Sequence, residues 1–91
     1  MKYRFSPEVS SKLREIKRKD NRLFLRIQKQ LHLFSIDQKH PSLRSHKIAG
    51  TYQNVWSISI TMQIRMLYVI ISPDEVYFAD MGTHDEVYRK K

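Results

Sequence analysis

Between Gly82 and Tyr88 the chain reads Gly-Thr-His-Asp-Glu-Val-Tyr, directly after the strand-like run Val76–Met81. An imidazole, two carboxylates and a phenol are thus gathered in one short stretch. Imidazole exchanges protons near neutral pH, and a phenol stacks on a base or donates to a phosphate oxygen. In a chain of net charge +8, that set points to chemistry on RNA. Asp85 and Glu86 are available as bases, but carboxylates so placed are commonly solvated or cap a last helical turn. They are read as structural.

The rest of such a site has to come from elsewhere in the chain. Arg65 is the only lysine or arginine between Lys47 and Arg89, and its planar fork matches a phosphate. His46 stands just before the sheet region and His84 just after it, so an antiparallel meander can bring both to one rim. Two imidazoles there divide proton transfer into a base and an acid. A cationic clamp then stabilises the charge that builds up when an RNA 2′-hydroxyl attacks its own phosphodiester. That reaction requires neither metal nor small-molecule cofactor. The histidine spacings match no local zinc pattern, and there is no cysteine to help. No Gly-rich phosphate loop or recognisable Ser/His/Asp arrangement is present. His32, on a helical stretch, is read as structural or solvated, and His40 as solvated.

The bulk of the chain agrees with this. Ninety-one residues make a single domain, 1–91, with one modest core. Residues 1–50 hold 13 basic and 4 acidic side chains, whereas residues 51–91 hold 4 and 5. Cations concentrated in one half favour a polyanionic or acidic protein partner. The absence of cysteine fits a reducing cytoplasm. The N-terminus has no apolar run of signal-peptide or membrane length, so a cytoplasmic, membrane-free location is expected. Disorder is not expected outside the last few residues, Arg89–Lys91.

Elements to position these groups are legible. Lys2–Phe5 alternates and reads as a short edge strand. Ser6-Pro7-Glu8 is a helix start, and Val9, Leu13 and Ile16 give a helix over about 7–19. Asp20-Asn21 breaks and recaps the chain. A second helix over about 21–35 buries Phe24, Ile27, Leu31 and Phe34. Leu25 and Leu33 lie partly off that stripe, and either complete the core or form a docking patch. Residues 37–45 are loop, 47–49 a weak strand and 50–54 a turn. Strands follow over 55–61, 65–71 and 76–81. Trp56, Ile58 and Ile60 should face the helices, leaving Ser57 and Ser59 open to solvent. The fold class is α+β: an N-terminal helical hairpin on a small antiparallel sheet.

With these residues in place, the chain resembles the RelE/ParE superfamily of bacterial toxin–antitoxin toxins over nearly its whole length. The resemblance is carried by His40–Lys47, Val55–Ile60, Ile64–Tyr68 and Gly82–Tyr88, and within the superfamily it is most similar to the YafQ-like branch. It implies the RelE-like microbial RNase fold and a ribosome-dependent mRNA endonuclease working by 2′-hydroxyl attack. It also implies His84 and His46 as acid–base residues, Arg65 as phosphate clamp and Tyr88 as the aromatic that orients substrate. Where RelE carries two lysines on the central strand, this chain has Ser57 and Ser59. Where YafQ-like toxins have a further histidine and an aspartate, it has Ser59 and Gln63.

Contacts to ribosomal RNA and mRNA are expected from Lys12, Arg14, Lys17, Arg18, Lys19, Arg22, Arg26, Lys29 and Lys47, with Ser57 and Ser59 on the sheet. An acidic or amphipathic antitoxin is the expected protein partner. Two alternatives stay open: a ParE-like gyrase poison, and a degenerate toxin that only binds its antitoxin and helps repress their operon.

Overall fold

Ser6 starts the first helix from both sides. Its hydroxyl accepts from the Val9 amide at 3.1 Å and donates to the Ala79 carbonyl at 3.0 Å, tying the helix start to the far end of the chain. In the computed structural model, which describes residues 1–48 and 54–88 (Tyr88 by its backbone only), helix α1 spans Pro7–Lys19 and α2 spans Asn21–Ile36. Asp20 serves both: its amide closes α1 onto the Ile16 carbonyl at 2.7 Å, and its carboxylate caps α2 by accepting from Leu23 N at 3.1 Å. One acidic residue thus ends one helix and begins the next, as the sequence leads one to expect.

Five strands form the sheet: β1 (Lys2–Phe5), β2 (His46–Lys47), β3 (Val55–Ser59), β4 (Ile64–Ser72) and β5 (Glu75–Thr83), in the order β1-β5-β4-β3-β2. The meander β2 to β5 is antiparallel throughout, but β1 lies parallel to β5. The helical hairpin carries the chain over one face and releases β1 from hairpin geometry. It then docks on the β5 edge, with Lys2 N donating to Asp74 O and Ser6 N to Phe78 O. The expected turn over 50–54 falls outside the described residues apart from Asn54, as do Ala49 and the basic tail Arg89–Lys91.

The core lies between the helices and one sheet face. Val9, Ile27, Leu31 and Phe34 meet Ile58, Ile60, Met66, Tyr68, Val76, Phe78 and Met81, with Leu13, Ile16, Leu33 and Trp56 partly buried against them. Phe34, Tyr68 and Phe78 pack edge to face at 5.1–5.5 Å between ring centres. Leu33 therefore completes the core, whereas Leu25 is 54% exposed. Phe24 is half-buried, under the Lys17 ammonium at 5.7 Å.

The other sheet face departs from expectation. Ser57 is fully buried and Ser59 nearly so. A short helix, α3 (His84–Tyr88), folds back there, and its Val87 packs with Leu67, Ile48 and Val55. The alternation of β3 shows which side each serine takes; it carries no sign of a helix arriving from 25 residues downstream to cover that side. Among the described residues, no helix is long and apolar enough to cross a membrane.

Candidate active site

Ser57 sits opposite His46 on β2 and Leu67 on β4, and Ser59 sits opposite Arg65, which in turn faces Gly82 on β5. Paired residues share a face, so three strands place His46, Ser57, Ser59 and Arg65 together at one end of the sheet. The Arg65 guanidinium lies back along β3 rather than standing free. Its Nε donates to Ser57 Oγ at 2.6 Å and its Nη2 to the Arg44 carbonyl at 3.2 Å. His46 Nδ1 is 3.1 Å from the same carbonyl and 3.5 Å from Arg65 Nη2. Both His46 and Arg65 keep solvent access, so a phosphate can reach the guanidinium edge while Ser57 fixes its other side. Ser59 Oγ instead donates to the Thr61 carbonyl at 2.8 Å and holds the β3–β4 turn.

His84 comes to this end of the sheet on β5. Gly82 is directly opposite Arg65, and His84 follows two residues later as the first residue of α3. The short helix is set by reciprocal bonds: Glu86 N donates to Thr83 Oγ1 at 3.2 Å, and Thr83 N donates to Glu86 Oε1 at 2.8 Å. This is a capping box, Thr-x-x-Glu, a spacing in Thr83-His84-Asp85-Glu86 that is the signal the sequence reading passed over. Glu86 is thus a cap, in keeping with its structural reading. Asp85 is exposed, with its Oδ1 3.9 Å from His84 Nδ1. The backbone of Tyr88 ends α3; its side chain lies outside the described residues.

The basic residues divide into two groups. Arg14, Lys17, Arg18, Lys19, Arg22 and Lys29 are exposed on the helices, and Lys47 on β2. Arg18 and Lys19 both reach Glu15 at 3.8 Å, pairs too exposed to hold them rigidly. Lys12 and Arg26 have structural work as well. Lys12 Nζ donates to the Met81 carbonyl at 2.7 Å and lies 3.7 Å from Asp80, while Arg26 Nε donates to the Ile60 carbonyl at 3.0 Å.

Some supporting residues escaped the sequence reading. Gln30 is buried on the stripe between Ile27 and Leu31, and its Nε2 donates to Ser59 O at 2.9 Å and, more weakly, to Ser42 O at 3.5 Å. A glutamine at a core position of a helix is the signal that could have found it, because buried amides need partners. His40, expected to be solvated, caps the 3-10 turn Pro41–Leu43 by accepting from Ser42 N at 3.1 Å. No residue type announces the Arg44 carbonyl. Among the described residues, no three His, Asp or Glu side chains converge as a metal set would.

No protein-family model and no curated protein matches the sequence. Solved structures are similar in fold. A YoeB/ParE toxin from Agrobacterium tumefaciens superposes with a TM-score of 0.77 at 18% identity, covering 92% of this chain and 99% of that one. A metal-bound toxin from Helicobacter pylori gives 0.73 at 15% identity, covering 96% and 98%. YafQ from E. coli gives 0.68 at 12% identity, covering 94% and 96%. Over more than nine-tenths of its length, the chain has the fold of the YoeB/ParE- and YafQ-type toxins.

Proposed function

We propose that this protein is the toxin of a type II toxin–antitoxin pair, a RelE/ParE-superfamily member with YafQ-like character that cleaves mRNA on the ribosome. The observation that carries this reading is Arg65. It is a cation fixed across β3 and β4 beside His46, at the sheet end where β5 delivers His84. In the reaction, one histidine takes the proton of an RNA 2′-hydroxyl and the oxygen attacks the adjacent phosphorus. Arg65 stabilises the phosphorane charge. The other histidine protonates the departing 5′-oxygen, leaving a cyclic phosphate and a free 5′-hydroxyl. Tyr88 orients the substrate, and the exposed cations of α1 and α2 hold ribosomal RNA through sequence-independent, salt-sensitive contacts.

An acidic or amphipathic antitoxin is the protein partner. The YoeB–YefM toxin–antitoxin heterotetramer of Staphylococcus aureus, whose toxin fold is similar at a TM-score of 0.75, supports that part. Both partners act in the cytoplasm.

Induction in cells should arrest growth and produce mRNA cuts that map to the ribosomal A site. His84→Ala should abolish both. Arrest by His84→Ala as strong as by the parent would sink the assigned role. Arrest without mRNA cuts, together with inhibited supercoiling by purified gyrase, would favour the gyrase-poison reading instead.

A further inference from the structure

Arg44 is the only described non-glycine residue with a positive φ (φ 46°, ψ 45°). Its surroundings impose that conformation. Leu43 before it is fully buried, the turn Pro41–Leu43 closes through Arg44 N to Pro41 O at 3.1 Å, and two residues later His46 must pair with Ser57. A left-handed residue at the exit of the turn satisfies all three.

In that conformation the Arg44 carbonyl meets two side chains, Arg65 Nη2 at 3.2 Å and His46 Nδ1 at 3.1 Å. A carbonyl oxygen only accepts, so the His46 contact is a hydrogen bond only when Nδ1 carries the proton. Arg65 Nη2 also lies 3.5 Å from Nδ1, but a guanidinium only donates. That pair can bond only if Nδ1 is bare, at the longer distance and at the cost of the carbonyl contact. With Nδ1 protonated, both side chains donate to the one oxygen at the two shorter distances. A neutral imidazole protonated at Nδ1 carries its lone pair on Nε2.

We propose that the left-handed peptide at Arg44 is a positioning device that sets the tautomer of His46, making Nε2 the base for RNA cleavage. The assignment rests on the nuclease reading above and divides its two histidine roles. His46 Nε2 takes the 2′-hydroxyl proton as the 2′-oxygen–phosphorus bond forms. His84 gives a proton to the 5′-oxygen as its bond to phosphorus breaks. The role belongs to the Arg44 backbone, so conformation tests it and charge does not.

The measurement is imidazole nitrogen NMR on the full chain, with Arg44→Gly and Arg44→Val as variants. Glycine enters the left-handed region freely, and a β-branched residue resists it. The parent and Arg44→Gly should show His46 protonated at Nδ1. Arg44→Val should shift it towards Nε2–H and lower kcat about tenfold at unchanged KM, a fraction of what a general base contributes. An Nε2–H tautomer in the parent overturns the proposal, as does full retention of Nδ1–H in Arg44→Val. Should Arg44→Val fail to fold, the parent spectrum still decides. Should the parent cleave no mRNA, the nuclease reading falls while the tautomer measurement still settles the role of Arg44.

Discussion

Arg65 shows how much of a residue's function its neighbours set. A lysine would keep the charge but not the fork that reaches Ser57 Oγ and the Arg44 carbonyl together. Arg65→Lys and Arg65→Ala should therefore both lower mRNA cleavage by roughly 10²-fold, as for loss of a donor to a developing oxyanion, and Arg65→Ala should also lower stability by about 1 kcal/mol through its bond to buried Ser57. A lysine variant that cleaves at the parent rate would refute the clamp. Tyr68 carries a different prediction. Burial among Phe34, Phe78 and Trp56 pushes its phenol above the ordinary value, and the Ser45 hydrogen bond at 3.2 Å pulls part of the way back. A raised folded-state value means the fold prefers the protonated phenol. That stabilisation is fully present below the unfolded value, about pH 10, and is lost as pH rises through the folded one. Urea midpoints should decline above about pH 10, and Tyr68→Phe should make that decline shallower.

At the scale of elements, α3 is the piece on which the site depends most. Five residues cannot hold a helix by propensity alone. Its support is the Thr83–Glu86 capping box and Val87 seated on Leu67 and Ile48. Gly82 is part of this arrangement, because a Cβ there would stand 2.7 Å from Glu86 Oε1 and 3.3 Å from Glu86 Cβ. Gly82→Ala should displace Glu86 and cost at least about 1 kcal/mol, as removal of a cap does, with added strain from the positive φ of 159° at this position. Glu86→Ala should cost about the same, and the double variant less than the sum, since both act on one interaction. Strict additivity in urea titrations would show that Gly82 is needed for its backbone conformation alone and not for the Glu86 cap. This element also marks what could be read in advance. The Thr-x-x-Glu spacing is the one local signal for α3, and it went unread because five residues give no periodicity to count. The burial of the serine face was hidden for the same reason: Val87, Ile48 and Leu67 cluster on that face, and the Arg65 side chain lies on Ser57.

For the whole molecule, charge and topology are arranged on different layers. The cation excess lies in residues 1–50, which include both long helices, while the sheet half is close to neutral. RNA association should fall with salt on a log–log scale. Neutralising Arg14, Lys17, Arg18, Arg22 and Lys29 should flatten that slope by about 0.7–0.9 for each phosphate they pair with. Lys12→Ala should instead lower stability by about 1 kcal/mol through its bond to Met81. A slope unchanged by the five substitutions would move the RNA-binding surface away from the helices.

The sequence by itself determined the helical hairpin, its caps at Ser6 and Asp20, the meander, the apolar face of Trp56, Ile58 and Ile60, and the candidacy of His46, Arg65 and His84. Each of these rests on interactions within a few residues, or on a side-chain period that the order of residues records directly. Tertiary structure alone decided that β1 runs parallel to β5, that Ser57 is buried beneath the Arg65 fork, and that Arg44 offers a carbonyl to His46 and Arg65. Those outcomes depend on which distant segments meet and on a backbone angle at one residue. An arginine by itself favours the right-handed region, and only the packing of its neighbours holds Arg44 in the left-handed one.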